Sequence, residues 1–222
     1  MKNILTSSSV VAFRYSDGII LSSDTSLNYG SFKMNRGVEK HYFLSNNTVM
    51  IARGEYSDFQ ELKKICDEEM EYDEKMGTRE WIRFIQRTMY YKRTRIEPLN
   101  LSIIVAGYDE RNEKPAKEIN SMEHFGQKLV FGAIDNIGNF YTDDVLACGI
   151  ASHMALPYVR GHDAMSLDRA GATKLMKETM QTLYYRDCMA DNHVKILGVE
   201  RDGIWENEEI VLNGNWEDGR YF

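Results

Sequence analysis

The sequence predicts an α+β fold in which two antiparallel sheets are flanked by pairs of helices. Three observations carry that prediction. Two apolar runs enclose an Asp17-Gly18 turn near the start of the chain, the strongest short-range hairpin signal. The apolar period then lengthens to that of a helix over two successive segments. Strand-like runs, a second helical stretch and closing strands follow. The order strands, helices, strands, helices, strands lacks the regular alternation of a doubly wound parallel sheet.

Each element has its own signal. Residues 10–15 and 19–23 form the first pair of strands, and residues 41–44 and 48–52 form a second pair about Asn46-Asn47. Phe59, Leu62, Ile65, Cys66 and Met70 recur at helical spacing with charges between them, an amphipathic helix for which Asp58 stands at an N-cap position. Trp81, Ile82, Ile85, Thr88 and Met89 share one face of a second helix, which stops before Pro98 because the residue before proline disfavours the α region. Residues 99–107, 128–134 and 139–145 read as strands, with a turn at 135–138. The polar stretch between Tyr108 and Gly126 reads as a long surface loop, with residues 109–125 as its insertion-like part. Residues 150–159 and 166–187 read as helices, Ser166 being the N-cap of the longer one. Its buried face is Ala172, Leu175, Met176, Thr179 and Leu183. Residues 194–200 and 204–211 close the chain about Asp202-Gly203, and 213–222 form an aperiodic tail. No repeat, linker or low-complexity stretch interrupts the sequence, so a single domain spans residues 1–222.

Composition narrows the function classes. Hydrophobic residues make up 43% of the 222 residues, enough for a sizeable core. A formal charge of −7 argues against a nucleic-acid groove. The basic run at 90–95 (YYKRTR) reads as the solvated end of a helix. No stretch approaches the roughly 18 apolar residues of a membrane span, and residues 1–9 hold no apolar run of signal-peptide length. Cys66, Cys148 and Cys188 include no CxxC pair, so they read as reduced core thiols of a cytosolic or nuclear protein. The histidines at 41, 124, 153, 162 and 193 lack metal-ligand spacing. There is no GxxxxGK[ST], GxGxxG or GxSxG. No metal and no cofactor is expected.

The opening SSVVAFRYSDGIILSSDTSLNYGS has a specific shape: a hydroxyl pair, an apolar strand, a D-G turn, a second apolar strand and then Asp. It resembles the N-terminal half of proteasome beta-type subunits, members of the N-terminal-nucleophile hydrolase superfamily. NNTVMIARGEYSDFQELKK and LYYRDCMADNHVKILGVERDGI resemble later parts of the same family. Residues 1–7 leave no room for the extra N-terminal helix of alpha-type subunits. Gly30-Ser31 after Tyr29, GEYSDFQEL, MYYKRTRIEPL, LYYRD and Asn215-Trp216 are similar to the seventh, catalytically inactive beta-type subunit. The resemblance implies a four-layer αββα sandwich, two antiparallel sheets between two helix layers.

Active members of that family use an N-terminal threonine, whose hydroxyl attacks the peptide carbonyl while its own amine, a lysine and an aspartate handle the proton. Carried onto this chain, the nucleophile position falls on Ser8, the first aspartate on Asp24, the lysine on Lys40 and the later aspartate on Asp187. These read as vestigial positions. Ser8 is not threonine, and Ser7 stands where the processing glycine belongs. Two supporting hydroxyls are replaced by the apolar Ile150 and Ala190. A chain left uncut has no free amine at Ser8. The resemblance therefore implies a non-catalytic subunit of the 20S proteasome core particle, in the cytoplasm and nucleus. Its partners would be the other alpha- and beta-type subunits of a 28-subunit core, with no nucleic acid and no membrane. Neighbouring threonine-protease subunits would carry out the ubiquitin- and ATP-linked degradation. The alternative is a weakly active hydrolase that uses Ser8 after processing. The family's C-terminal clamp is represented only by a short tail, in which Trp216, Tyr221 and Phe222 are the expected interface residues.

Overall fold

The computed structural model describes residues 4–73, 75–109, 128–215 and 217. Nearly all of the 109–125 loop, and the expected interface residues Trp216, Tyr221 and Phe222, lie outside the described residues. The chain begins with β1 (Leu5–Ser7), β2 (Val10–Arg14), β3 (Gly18–Asp24), β4 (Leu27–Tyr29), β5 (Phe32–Asn35), β6 (His41–Ser45) and β7 (Thr48–Gly54). Helices α1 (Tyr56–Tyr72) and α2 (Thr78–Thr94) follow, then β8 (Leu101–Tyr108), β9 (Leu129–Ile134), β10 (Phe140–Tyr141) and β11 (Val145–Cys148). Helices α3 (Ala151–Arg160) and α4 (Arg169–Arg186) precede β12 (His193–Glu200), β13 (Gly203–Glu206) and β14 (Ile210–Val211).

Two antiparallel sheets form the middle of the molecule. One runs β11-β2-β3-β12-β13, with β14 also paired to β12, and the other runs β10-β9-β8-β7-β6. Side chains alternate between the faces of each strand, and here both faces are buried. Val10, Ala12, Ile19 and Leu21 of the first sheet meet Val49, Ile51, Ile104, Ala106 and Phe131 of the second. The intervening Val11, Phe13 and Ile20 pack instead beneath α3 and α4 with Ala155, Met176 and Leu183. On the opposite side Met50, Ala52, Ile103 and Val105 pack beneath α1 and α2 with Leu62, Trp81 and Ile85. Burial on both faces explains why the strands read as continuous apolar runs. The result is the αββα sandwich.

Several expectations need correction. Residues 139–145 are not one strand: β10 pairs with β9, whereas β11 pairs with β2 in the other sheet. The polar Thr142-Asp143-Asp144 carries the chain between the two sheets. Residues 204–211 likewise divide into β13 and β14. Helix α1 is preceded by Glu55 rather than Asp58, which lies in its first turn and accepts the Asn100 N–H at 2.6 Å. Helix α4 is capped by Asp168, whose Oδ1 accepts the Gly171 N–H at 2.8 Å. Ser166 sits earlier, in a short 3-10 turn. Cys66 and Cys148 are core thiols, but Cys188 is exposed in the turn after α4. A small sheet β1-β4-β5 was not foreseen. Its strands are short, and β5 is exposed throughout, so no apolar run announces it.

Candidate functional site

The vestigial positions meet at one end of the sandwich. Asp24 is the last residue of β3, opposite Val194 of β12. Lys40 reaches in from the other sheet, anchored because its carbonyl accepts the Ala52 N–H at 2.9 Å. Ser8 lies between β1 and β2 and is 6% exposed, against 1% for Asp24 and Lys40. The Ser8 hydroxyl donates to Asp24 Oδ1. The Lys40 ammonium donates to the same oxygen at 2.6 Å. Ser26 Oγ donates to Asp24 Oδ2 at 2.5 Å, and the Asp191 N–H reaches that oxygen at 3.2 Å. Burial pushes the Lys40 ammonium below its ordinary range, while Asp24 beside it, and Asp191 and Asp187 farther off, act in the opposite sense. Desolvation disfavours a charged lysine, and the pair is kept ionic by its mutual attraction and hydrogen bond.

Ser8, Asp24 and Lys40 are thus brought together. Asp187 is buried nearby but spends Oδ1 on the Met189 N–H, at 2.9 Å, where it shapes the turn after α4. Ile150 precedes α3 and is 44% exposed, whereas Ala190 is buried. Neither side chain offers a hydroxyl. Gly149, at φ +81°, turns the chain so that the Ala151 N–H donates to Ser9 Oγ at 3.1 Å. Sequence reasoning missed Ser26 and Asp191. Asp191 binds Lys33 at 3.0 Å and Arg36 at 3.3 Å, tying β5 to the site. The available signal was a second acid four residues beyond Asp187.

The backbone before Ser8 is held on both flanks. Strand β1 pairs with β4, Ser7 opposite Leu27 and Leu5 opposite Tyr29. Thr6 bridges Glu55 on the other side, and the Gly54 N–H donates to Ser7 Oγ at 2.9 Å. The nitrogen of Ser8 is therefore an amide inside a paired segment. A serine nucleophile needs a proton acceptor. The acceptor beside Ser8 is a carboxylate oxygen already bound to an ammonium, which makes it a weak base.

The family model for a proteasome subunit matches residues 4–117, just over half of the chain. This chain belongs to the proteasome subunit family. Its curated relatives are beta-type proteasome subunits. The probable proteasome subunit beta type-7 of Encephalitozoon cuniculi is 32% identical over 99% of this chain and 96% of that protein. The proteasome subunit beta type-4 of Dictyostelium discoideum is 29% identical over 97% of this chain and 81% of its own. The beta type-7 subunit of Saccharomyces cerevisiae is 26% identical over 96% and 81%. The β1-β4-β5 sheet and the buried Ser8–Asp24–Lys40 cluster are features of this proteasome subunit at the end of a proteasome-type sandwich. No helix among its described residues is long and apolar enough to cross a membrane.

Proposed function

We propose that this chain is a non-catalytic structural subunit of the 20S proteasome core, which shapes the beta ring and its chamber and helps to join the two half-particles. Degradation is then the work of neighbouring threonine-protease subunits, in both cytoplasm and nucleus. The observation that carries the reading is the state of Ser8. Its hydroxyl is committed to an oxygen shared with Lys40, and its nitrogen is an amide next to a strand held on both sides. The apolar Ile150 and Ala190 support the same reading. Asp24 and Lys40 need no catalytic explanation, because losing one partner of a buried ion pair destabilises a fold.

Two measurements test this. Intact mass of the chain, taken from purified particles treated with a peptide epoxyketone, should show Ser8 unmodified and residues 1–7 retained. An adduct on Ser8 would instead establish the second reading, a slow serine hydrolase, which draws on the retained contact among Ser8, Asp24 and Lys40. The native mass and subunit inventory recovered on a tag at this chain should show a large particle of many related subunits. A monomer or a homo-oligomer would overturn the assembly role. Deleting residues 214–222 should reduce the joining of half-particles, and an unchanged yield of complete core would remove that tail from the account.

A further inference from the structure

Helix α2 ends in a way that its sequence makes costly. The Ile96 N–H donates to the Arg93 carbonyl at 3.0 Å, and the Glu97 N–H to the Lys92 carbonyl at 3.1 Å. These are the paired bonds of a Schellman termination, which requires a left-handed residue at its turning point. Ile96 occupies that point with φ +62°, the one positive φ of a non-glycine among the described residues. Glycine takes this conformation freely, whereas a β-branched side chain is strained in it. Burial does not compensate, since Ile96 is 91% exposed. Strain held at a fully exposed apolar side chain points to a use outside the fold.

The surroundings define the use. Tyr90 and Tyr91 are each about half exposed. Arg93 lies 6.0 Å from the centre of the Tyr90 ring and Arg95 lies 4.5 Å from that of Tyr91. A groove of about 520 Å³ runs beside them, lined by Gln86, Arg87, Tyr90, Tyr91, Thr94 and Gly138. Lys92 is paired with Glu61 at 3.1 Å. Arg87, Arg93 and Arg95 have no carboxylate at ion-pair distance among the described residues.

We infer that the C-terminal end of α2 is a docking surface for an extended, acidic segment with an apolar side chain, supplied by another subunit of the assembly. The segment's carboxylates meet Arg87, Arg93 and Arg95, and its apolar side chain packs against Ile96 and the two phenol rings. Charge complementarity selects this partner, because three uncommitted guanidinium groups cluster here on a chain of net charge −7. A nucleic acid fits less well. The Lys92–Glu61 pair brings α1 alongside, and its exposed Glu61, Asp67, Glu68 and Glu71 would repel a long polyanion. A short segment stops before reaching them.

The inference rests on the proposed role as an assembly subunit, and the test separates the two. Benzoylphenylalanine placed at position 96 of the tagged chain is photolysed in the purified particle, and the adducts are located by mass spectrometry. An adduct on an Asp- and Glu-rich segment of a different subunit is expected. Adducts on nucleic acid, adducts on a basic segment, or none from an assembled particle overturn the inference. In parallel, Ile96→Gly should raise the melting temperature of the full chain yet lower its recovery in particles about fivefold, as loss of an interface anchor does. Arg93→Glu combined with Arg95→Glu should lower recovery without moving the melting temperature. Recovery of both variants at the wild-type level would overturn the docking surface alone. A wild-type chain recovered only as a monomer would overturn the assembly role, and the docking surface with it.

Discussion

Asp24 accepts from two side chains at Oδ1 and from a hydroxyl and a backbone N–H at Oδ2, so its carboxylate is satisfied on every side while almost wholly buried. Its replacement by alanine leaves the Lys40 ammonium buried without a counter-charge. Asp24→Ala should therefore cost about 3–5 kcal/mol, and Lys40→Met a similar amount, in denaturant unfolding. The double variant should cost clearly less than the two single losses added together, because neither charge is then stranded. Ser8→Ala removes one hydrogen bond of four and should cost only about 1–2 kcal/mol. A second residue-scale effect lies at His41, which is buried on β6. Burial lowers the pKa of its imidazole, more than Glu206 and Glu39 raise it, while Lys195 and Lys63 lower it further. The unfolded imidazole takes up a proton near pH 6.5 and the folded one only at lower pH. Stability from this group is complete above about pH 6.5 and is lost as pH falls towards the folded value. Melting temperatures between about pH 7.5 and pH 5.5 should fall more steeply for the natural chain than for His41→Gln; equal slopes would remove the histidine from the account.

Helix ends show how much a single element can reveal before its structure is seen. The 3.6-residue spacing of Trp81, Ile82, Ile85 and Met89 was legible because all four are buried on one face of α2. The cap of α4 was not, because Ser166, Asp168 and the start of the helix are too close together for pattern alone to choose between them. Asp168 holds the Gly171 N–H, while Ser166 Oγ donates to the Asp163 carbonyl at 2.8 Å within the preceding turn. Asp168→Ala should accordingly cost about 1 kcal/mol, and Ser166→Ala less than about half of that, by thermal unfolding. The reverse order would return the cap to Ser166. The site follows the same logic. Ser8, Asp24 and Lys40 were legible because each sits at a fixed offset from the Asp17-Gly18 turn or the strands it joins. Ser26 and Asp191 were not, because their roles depend on β3, β12 and the turn after α4 coming together, which no local pattern encodes. Strands β4 and β5 escaped for a related reason: they cover the end of the site from outside the core, so no apolar alternation marks them.

At the scale of the whole molecule, the three apolar layers raise the question of whether one domain or two half-sandwiches unfold. Neighbouring residues of β8 separate the alternatives. Ile103 points into the layer beneath α1 and α2, whereas Ile104 points into the layer between the sheets. Both side chains are fully buried, so Ile103→Ala and Ile104→Ala should each cost about 2–5 kcal/mol. We predict a single cooperative unit over residues 1–222. The middle layer draws side chains from both sheets, and Arg14 of the first sheet also donates to the Leu129 carbonyl of the second at 3.1 Å. Native-state hydrogen exchange should then lose protection equally in β8 and in the distant β12 for both variants, because the most protected amides in each sheet open only in global unfolding. If Ile103→Ala instead loosens β7, β8 and the helices above them while β12 keeps its protection, the α1–α2 half opens by itself and the sandwich is two cooperative units. The middle layer would then be the seam between them, and Ile104→Ala would be the variant that uncouples the halves.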